Sequence, residues 1–90
     1  MTTTVVNGRT WMGDGVWVDR RSPYGNPHRI GRDGTRAEGI AKYRRWFIAH
    51  IQRDPEFKAG VLALRGKTLI CWCAPLACHA DVIVQWLEHH

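Results

Sequence analysis

The stretch from Lys67 to Cys73 is the most apolar strand-like run in the chain, and its apolar character continues on both alternating faces. A strand of that kind is covered on each side and belongs inside a sheet. It leads through a loop containing Pro75 into a helix start, Cys78-His79-Ala80-Asp81. Such a turn brings together free backbone N–H groups, the positive end of a helix and soft side chains. All three cysteines of the chain lie within this segment. It therefore fixes both the centre of the fold and the place to look for a site.

The other elements arrange themselves around that strand. Thr3 to Val6 and Val16 to Val18 are short β-favouring runs separated by Gly8, Gly13, Asp14 and Gly15, a pattern that predicts two strands and a hairpin. Trp11 and Trp17 belong to the core or its edge. Thr35-Arg36-Ala37-Glu38 is a capping box. The helix it opens carries Ile40, Tyr43, Phe47 and Ile51 on one stripe, and Lys42, Arg45, Ala49 and Gln52 toward water. Arg44, Arg45 and Trp46 read as a solvated helix face with one aromatic at the core boundary. Asp54-Pro55 is an N-cap followed by proline at the first helical position, and Arg65-Gly66 ends that second helix. The last helix, from Cys78 to Trp86, is apolar nearly all round, with Cys78, Asp81 and Gln85 on one polar strip. Strand, strand, helix, helix, strand, helix is an α/β order. It predicts a small single-domain sandwich with a short mixed sheet of about three or four strands flanked by helices.

Ninety residues make one domain with a thin core, which five tryptophans help to fill. Residues 1–87 are that domain. Residues 88–90 follow Leu87 as the beginning of a common C-terminal purification tag would, so His89 and His90 carry no functional weight. No apolar run approaches the roughly 20 residues that span a bilayer. The start, Met1-Thr2-Thr3-Thr4-Val5-Val6-Asn7, has neither the basic beginning nor the apolar core of a signal peptide. These features, with an odd number of cysteines, point to a reducing, cytoplasmic setting without a membrane. A formal charge of +5 favours anionic partners, either a small molecule or nucleic acid.

From Asp19 to Gly34 the chain is broken by Pro23, Gly25, Pro27, Gly31 and Gly34. A loop of this length in so small a domain is uncommon and more often functional than merely connecting. In Ser22-Pro23-Tyr24-Gly25-Asn26-Pro27 each proline fixes its own φ and restricts the residue before it. A stiff loop can present Ser22, Tyr24 and Asn26 with little entropy lost on binding. Local composition alone describes a surface turn.

The cysteine segment supports three chemistries. The C-x-C-x4-C-H spacing supplies Cys71, Cys73, Cys78 and His79 as a Cys3His set for zinc, with His28 as another fourth ligand. Geometry does not favour this cofactor. Cys71 and Cys73 on a regular strand stand roughly 6.6 Å apart, and neighbours on a helix such as Cys78 and His79 diverge by about 100°. The second chemistry is a reactive thiol. Cys78 at a helix N-terminus has its thiolate favoured by the dipole, and Asp81 one turn on opposes it. As helical neighbours, Cys78 and His79 would not face each other, so His28 or His50 would have to serve as base. The third is an anion or nucleotide pocket beyond the carboxyl end of the strand, on the helix N-terminus. There Cys73 and Cys78 line a wall and Cys71 is packing. Neither a P-loop ending nor a G-x-G-x-x-G is present.

Several motifs in order resemble a known family: Ser22-Pro23-Tyr24-Gly25-Asn26-Pro27, Ile30-Gly31-Arg32-Asp33-Gly34-Thr35-Arg36, Tyr43 and Trp46, Leu64-Arg65-Gly66-Lys67, and Cys71-Trp72-Cys73-Ala74-Pro75-Leu76-Ala77-Cys78-His79-Ala80-Asp81. From about Val16 to Leu87 the chain is similar to the phage and bacterial family catalogued as domain of unknown function 4326. Members usually carry an aromatic where His28 stands, which argues against a role for His28. The C-terminal motif is also similar, more distantly, to an uncharacterised family with a C-x-E-x4-C-H-R segment, in which a carboxylate stands at the position of Cys73. The resemblance implies a phage or bacterial source, hence a bacterial cytoplasm, and no known reaction.

The expectation is an uncharacterised small domain that binds an anionic ligand, a nucleotide or nucleic-acid phosphate, at the helix start after strand 67–73. Ser22, Tyr24, Asn26, Arg36, Cys73, Cys78 and His79 are its candidate ligand-binding residues. Arg36 would hold the anion, and Asn26, His79 and Asp81 would set orientation. The alternatives are an enzyme using Cys78, His79 and Asp81 on a nucleotide-like substrate, and a zinc-stabilised or structural module that binds a host protein or nucleic acid.

Overall fold

A computed structural model describes residues 3–19, 22–25, 35–72, 76 and 78–90. The described elements are β1 (Thr4–Asn7), β2 (Val16–Trp17), α1 (Arg36–Arg53), α2 (Pro55–Leu62), β3 (Thr68–Cys71) and α3 (His79–His89). They form an α/β domain with β3 between the other two strands, in the order β1-β3-β2. Among the described residues, no helix is long and apolar enough to cross a membrane.

Both pairings are parallel: Val5 lies opposite Leu69 and Val6 opposite Ile70 on one side, while Val16 and Trp17 lie opposite Leu69 and Ile70 on the other. The sheet is thus parallel where the order of elements suggested a mixed one, and β1 and β2 make no hairpin. The reason lies in residues 8–15. They leave the carboxyl end of β1 and return to the amino end of β2, which places them across β3 on the side away from the helices. Gly15 permits this close crossing. A β-carbon there would stand 2.8 Å from both the Ile70 side chain and the Thr68 carbonyl.

The crossing explains the doubly apolar pattern of β3. Leu69 and Cys71 face the main core with Val18, Tyr43, Phe47, Ile51, Phe57, Val61 and the buried side of α3. Ile70 is buried on the opposite face, outside that cluster, beneath Gly15 and between Val6 and Trp17. Described helices therefore cover one face of the sheet, and a glycine-bearing loop that carries Trp11 crosses the other.

Helix boundaries follow local chemistry. Thr35 accepts from the Glu38 N–H at 3.2 Å, and Glu38 accepts from the Thr35 N–H at 3.2 Å, the reciprocal arrangement of a capping box. Asp54 ends α1 by donating its N–H to the His50 carbonyl at 2.9 Å. It begins α2 by accepting from the N–H groups of Glu56 and Phe57. The inward face of α1 is Gly39, Tyr43, Phe47 and Ile51, with Ile40 half-buried beside it. Gly66 turns the chain into β3 at φ 79°, the left-handed region that favours glycine.

Candidate functional site

The carboxyl ends of three parallel strands share one edge, and side chains and backbone tie them together there. Asn7 donates its Nδ2–H to the Trp72 carbonyl at 3.2 Å, and the Gly8 N–H reaches the Cys71 carbonyl at 2.8 Å. From the other side, the Val18 N–H donates to the Ile70 carbonyl at 3.0 Å, and Trp72 Nε1–H reaches the Asp19 carboxylate at 3.4 Å. In open α/β sheets this edge is where ligands bind.

Cys78 is the N-cap of α3, with φ −145° and ψ 156°. That extended backbone corrects the expectation that Cys78 and His79 diverge as helical neighbours do. Cys78 is not yet helical, so its Sγ lies 3.4 Å from His79 Nδ1. On its other side Cys78 Sγ is 3.3 Å from Cys71 Sγ, and the two are thiols, not a disulfide. His79 Nε2 bonds to the Val18 carbonyl. A carbonyl only accepts, so Nε2 carries the hydrogen, and Nδ1 of the neutral ring is left as an acceptor. Cys78 S–H thus has two acceptors in reach, Cys71 Sγ and His79 Nδ1.

Asp81 turns back to accept the Cys78 N–H at 3.0 Å. Its carboxylate thereby occupies part of the positive end of α3, as helix-start acids do. His50 is engaged elsewhere: its Nε2 meets Asp54 at 3.2 Å and its ring stacks on Phe57 at 3.9 Å.

The loop after β2 joins the same neighbourhood through Tyr43. The Tyr43 ring meets the His79 ring edge-on at 5.2 Å, and its hydroxyl donates to the Tyr24 carbonyl at 2.8 Å. Burial pushes its phenol well above the usual range, and the nearby Cys78 thiol adds to the shift. Ser22 holds the turn itself: its hydroxyl donates to the Asp19 carbonyl at 2.7 Å and accepts the Tyr24 N–H at 3.2 Å. Tyr24 packs on Phe57 at a ring separation of 5.8 Å. Arg36 is half-buried at the start of α1. Asn26, His28 and Cys73 lie outside the described residues. Among the described residues, no three metal-ligating side chains converge as a cation site.

The match spans residues 4–89, which is nearly the whole chain. The chain belongs to the family described as domain of unknown function DUF4326. Over 71 residues it is 36% identical to a protein of Enterobacteria phage T4 described as an uncharacterized 12.4 kDa protein in the nrdA-td intergenic region. That alignment covers 78% of this chain and 64% of the phage protein, so the chain spans just under two thirds of its relative's length. No solved structure matches.

In this family member, sequence reasoning did not single out three groups at the edge. Tyr43 was placed on the core stripe, where a tyrosine among apolar residues is the one available signal of a buried hydroxyl with a partner. The Val18 carbonyl is a backbone group and leaves no trace in composition. Trp72 belongs to the run that reads as a buried strand, yet the residue is 47% exposed, beside Trp17 at 39%.

Proposed function

We propose that this DUF4326 domain binds a base-bearing anion, a nucleotide or a short length of single-stranded nucleic acid, at the carboxyl edge of its sheet. The observation that carries the reading is the Trp17–Trp72 pair. Their ring centroids lie 5.0 Å apart at a tilt of 41°, on the face of the sheet that none of the described helices covers, and both residues are substantially exposed. Exposed aromatics on a sheet face stack bases, while basic side chains draw in the phosphates. Arg9 is exposed next to Gly8, where a β-carbon would stand 2.5 Å from the Trp17 ring and 3.2 Å from the Trp72 ring, and the chain carries a net charge of +5. Arg36, at the start of α1, is the residue proposed from the sequence for the phosphate.

Burial weighs against the competing enzyme that uses Cys78 on a nucleotide. Cys71 and Cys78 are only 1% and 2% exposed, and reactive thiols that meet large substrates are partly open. A labelled single-stranded oligonucleotide and a labelled nucleoside triphosphate, followed by fluorescence anisotropy at increasing salt, test the proposal. Binding that weakens with salt, and that Trp72→Ala reduces about tenfold or more, is expected. Equal binding by wild type and Trp72→Ala, or no binding of either probe at low salt, would overturn it.

A further inference from the structure

The Trp surface makes no use of the thiols beneath it. Their arrangement nevertheless has the three parts of an activated sulfur site: a nucleophile, a base with a fixed tautomer, and a second thiol within reach. We infer that Cys71 and Cys78 form a modification site for hydrogen peroxide or a small hydroperoxide, with Cys78 the sulfur attacked first and Cys71 the resolving thiol.

His79 Nδ1, 3.4 Å from Cys78 Sγ, is the acceptor for the Cys78 proton, because Nε2–H is committed to the Val18 carbonyl. The resulting imidazolium favours the thiolate, and so does the helix start, though the Asp81 carboxylate that accepts the Cys78 N–H offsets part of the latter. The thiolate attacks one peroxide oxygen. An S–O bond forms and the O–O bond breaks, and the departing hydroxide takes the proton from His79 and leaves as water. Cys78 is now a sulfenic acid. Cys71 Sγ, already 3.3 Å from Cys78 Sγ, attacks that sulfur. The S–S bond forms, the S–O bond breaks, and the hydroxide leaves with the Cys71 proton as a second water. Two thiols have been oxidised and one peroxide reduced. The sulfurs must close by a little over 1 Å to reach disulfide length. Burial selects the oxidant: a nucleotide or a protein disulfide cannot reach a sulfur that is 2% exposed, whereas a peroxide little larger than water needs the smallest opening, and the neighbouring His79 is half-buried.

The test exposes folded, reduced protein to hydrogen peroxide, removes the peroxide, blocks remaining thiols by alkylation in denaturant, and maps peptides by mass without reduction. A peptide pair joined through Cys71 and Cys78 is expected. Cys73→Ser should give the same pair. Cys71→Ser should stop at a Cys78 sulfenic acid that dimedone, added together with denaturant, traps. His79→Asn should form the same disulfide about tenfold or more slowly, as loss of a general base requires. A disulfide joining Cys78 to Cys73 would overturn the inference. So would intact Cys71 and Cys78 thiols in folded protein under conditions that oxidise them in the denatured chain. The wild-type map alone decides this, so a variant that fails to fold cannot hide the outcome.

Discussion

The Tyr43 hydroxyl donates a 2.8 Å hydrogen bond to the backbone carbonyl of Tyr24, joining the buried face of α1 to the loop that follows β2. The same ring lies edge-on to His79, so one side chain spaces the loop from the start of α3. Tyr43→Phe keeps the ring and removes the donor. It should cost about 1–2 kcal/mol, since the Tyr24 carbonyl loses its partner in a part-buried position. Thermal unfolding should move down by about 4–8 °C per kcal/mol at this chain length, and amide exchange should quicken at Tyr24 and Gly25 before it does in α1. Unchanged exchange in the loop would show that the bond does not hold it.

The same residue sets the behaviour at high pH. Burial raises the Tyr43 phenol above its ordinary value of 10.0, so the folded chain holds this proton more tightly than the unfolded chain does. A raised group stabilises fully below the unfolded value, and that contribution disappears as pH climbs beyond it. Stability should therefore fall above pH 10, and the phenolate absorbance of Tyr43 should appear together with unfolding. In Tyr43→Phe the alkaline loss should be smaller. Titration of one tyrosine's worth of phenolate in fully folded protein, assigned to Tyr43, would contradict this.

At low pH the helix caps take over. Hydrogen bonding from the Phe57 N–H, with smaller contributions from His50 and Glu56, holds the Asp54 carboxyl below its ordinary 3.8. The Thr35 backbone and hydroxyl do the same for Glu38 below 4.5. For a lowered carboxyl, the stabilisation is present above the unfolded value and is lost as pH falls through the folded one. Acid unfolding should therefore set in below pH 4.5 and deepen below 3.8. Asp54→Asn keeps an N-cap acceptor and should flatten the lower part of this dependence, at little loss near neutrality. Asp54→Ala should lower the melting temperature by about 4–8 °C at neutral pH. Parallel acid profiles for wild type and Asp54→Asn would remove Asp54 from the account.

What could be read in advance was what nearby residues decide among themselves. Thr35 with Glu38, and Asp54 with Pro55, state helix starts in four residues or fewer. Tyr43, Phe47 and Ile51 state a buried face through spacing alone. The parallel sheet was not legible, because glycines at 8, 13 and 15 look alike whether they form a tight turn or let a loop cross a sheet closely. The Cys78–His79 contact was missed because both residues were treated as helical. One extended residue at the N-cap reverses the geometry, and sequence does not fix φ and ψ there. The His79 tautomer depends on a carbonyl 61 residues away in sequence. By contrast, the nearness of the α3 start to the Ser22–Tyr24 turn, which Tyr43 bridges, could be expected from the motifs.

The loop crossing makes its own prediction. A β-carbon at Gly15 would meet the Thr68 carbonyl at 2.8 Å, a backbone atom held in the sheet, as well as Ile70. At Gly13 it would meet only the Trp11 ring, also at 2.8 Å, on a half-exposed side chain held by one hydrogen bond from its indole N–H to the Asp14 carbonyl. Gly15→Ala should therefore destabilise by about 1–3 kcal/mol, as overpacking does, while Gly13→Ala should cost about 1 kcal/mol at most, the net worth of that one exposed bond. Denaturant unfolding of the two variants side by side checks the ranking. Equal cost at both positions would mean that residues 8–15 do not lie against β3 as described.

Metal removal separates a thiol pair from a zinc anchor. Cys71 and Cys78 belong to a continuous apolar cluster with Leu69, Ala80, Val82 and Ile83, and Cys78 is also committed to His79. A core closed by packing does not require an ion, whereas a structural zinc site contributes folding energy outright. Protein purified under reducing conditions and dialysed against a strong chelator should therefore keep its melting temperature within about 2 °C, as surface-neutral changes do. Both buried thiols should then react with a thiol reagent only after denaturant is added. One equivalent of zinc in the protein as isolated, with a large fall in melting temperature on chelation, would instead assign the thiols to the metal and remove them from the peroxide chemistry.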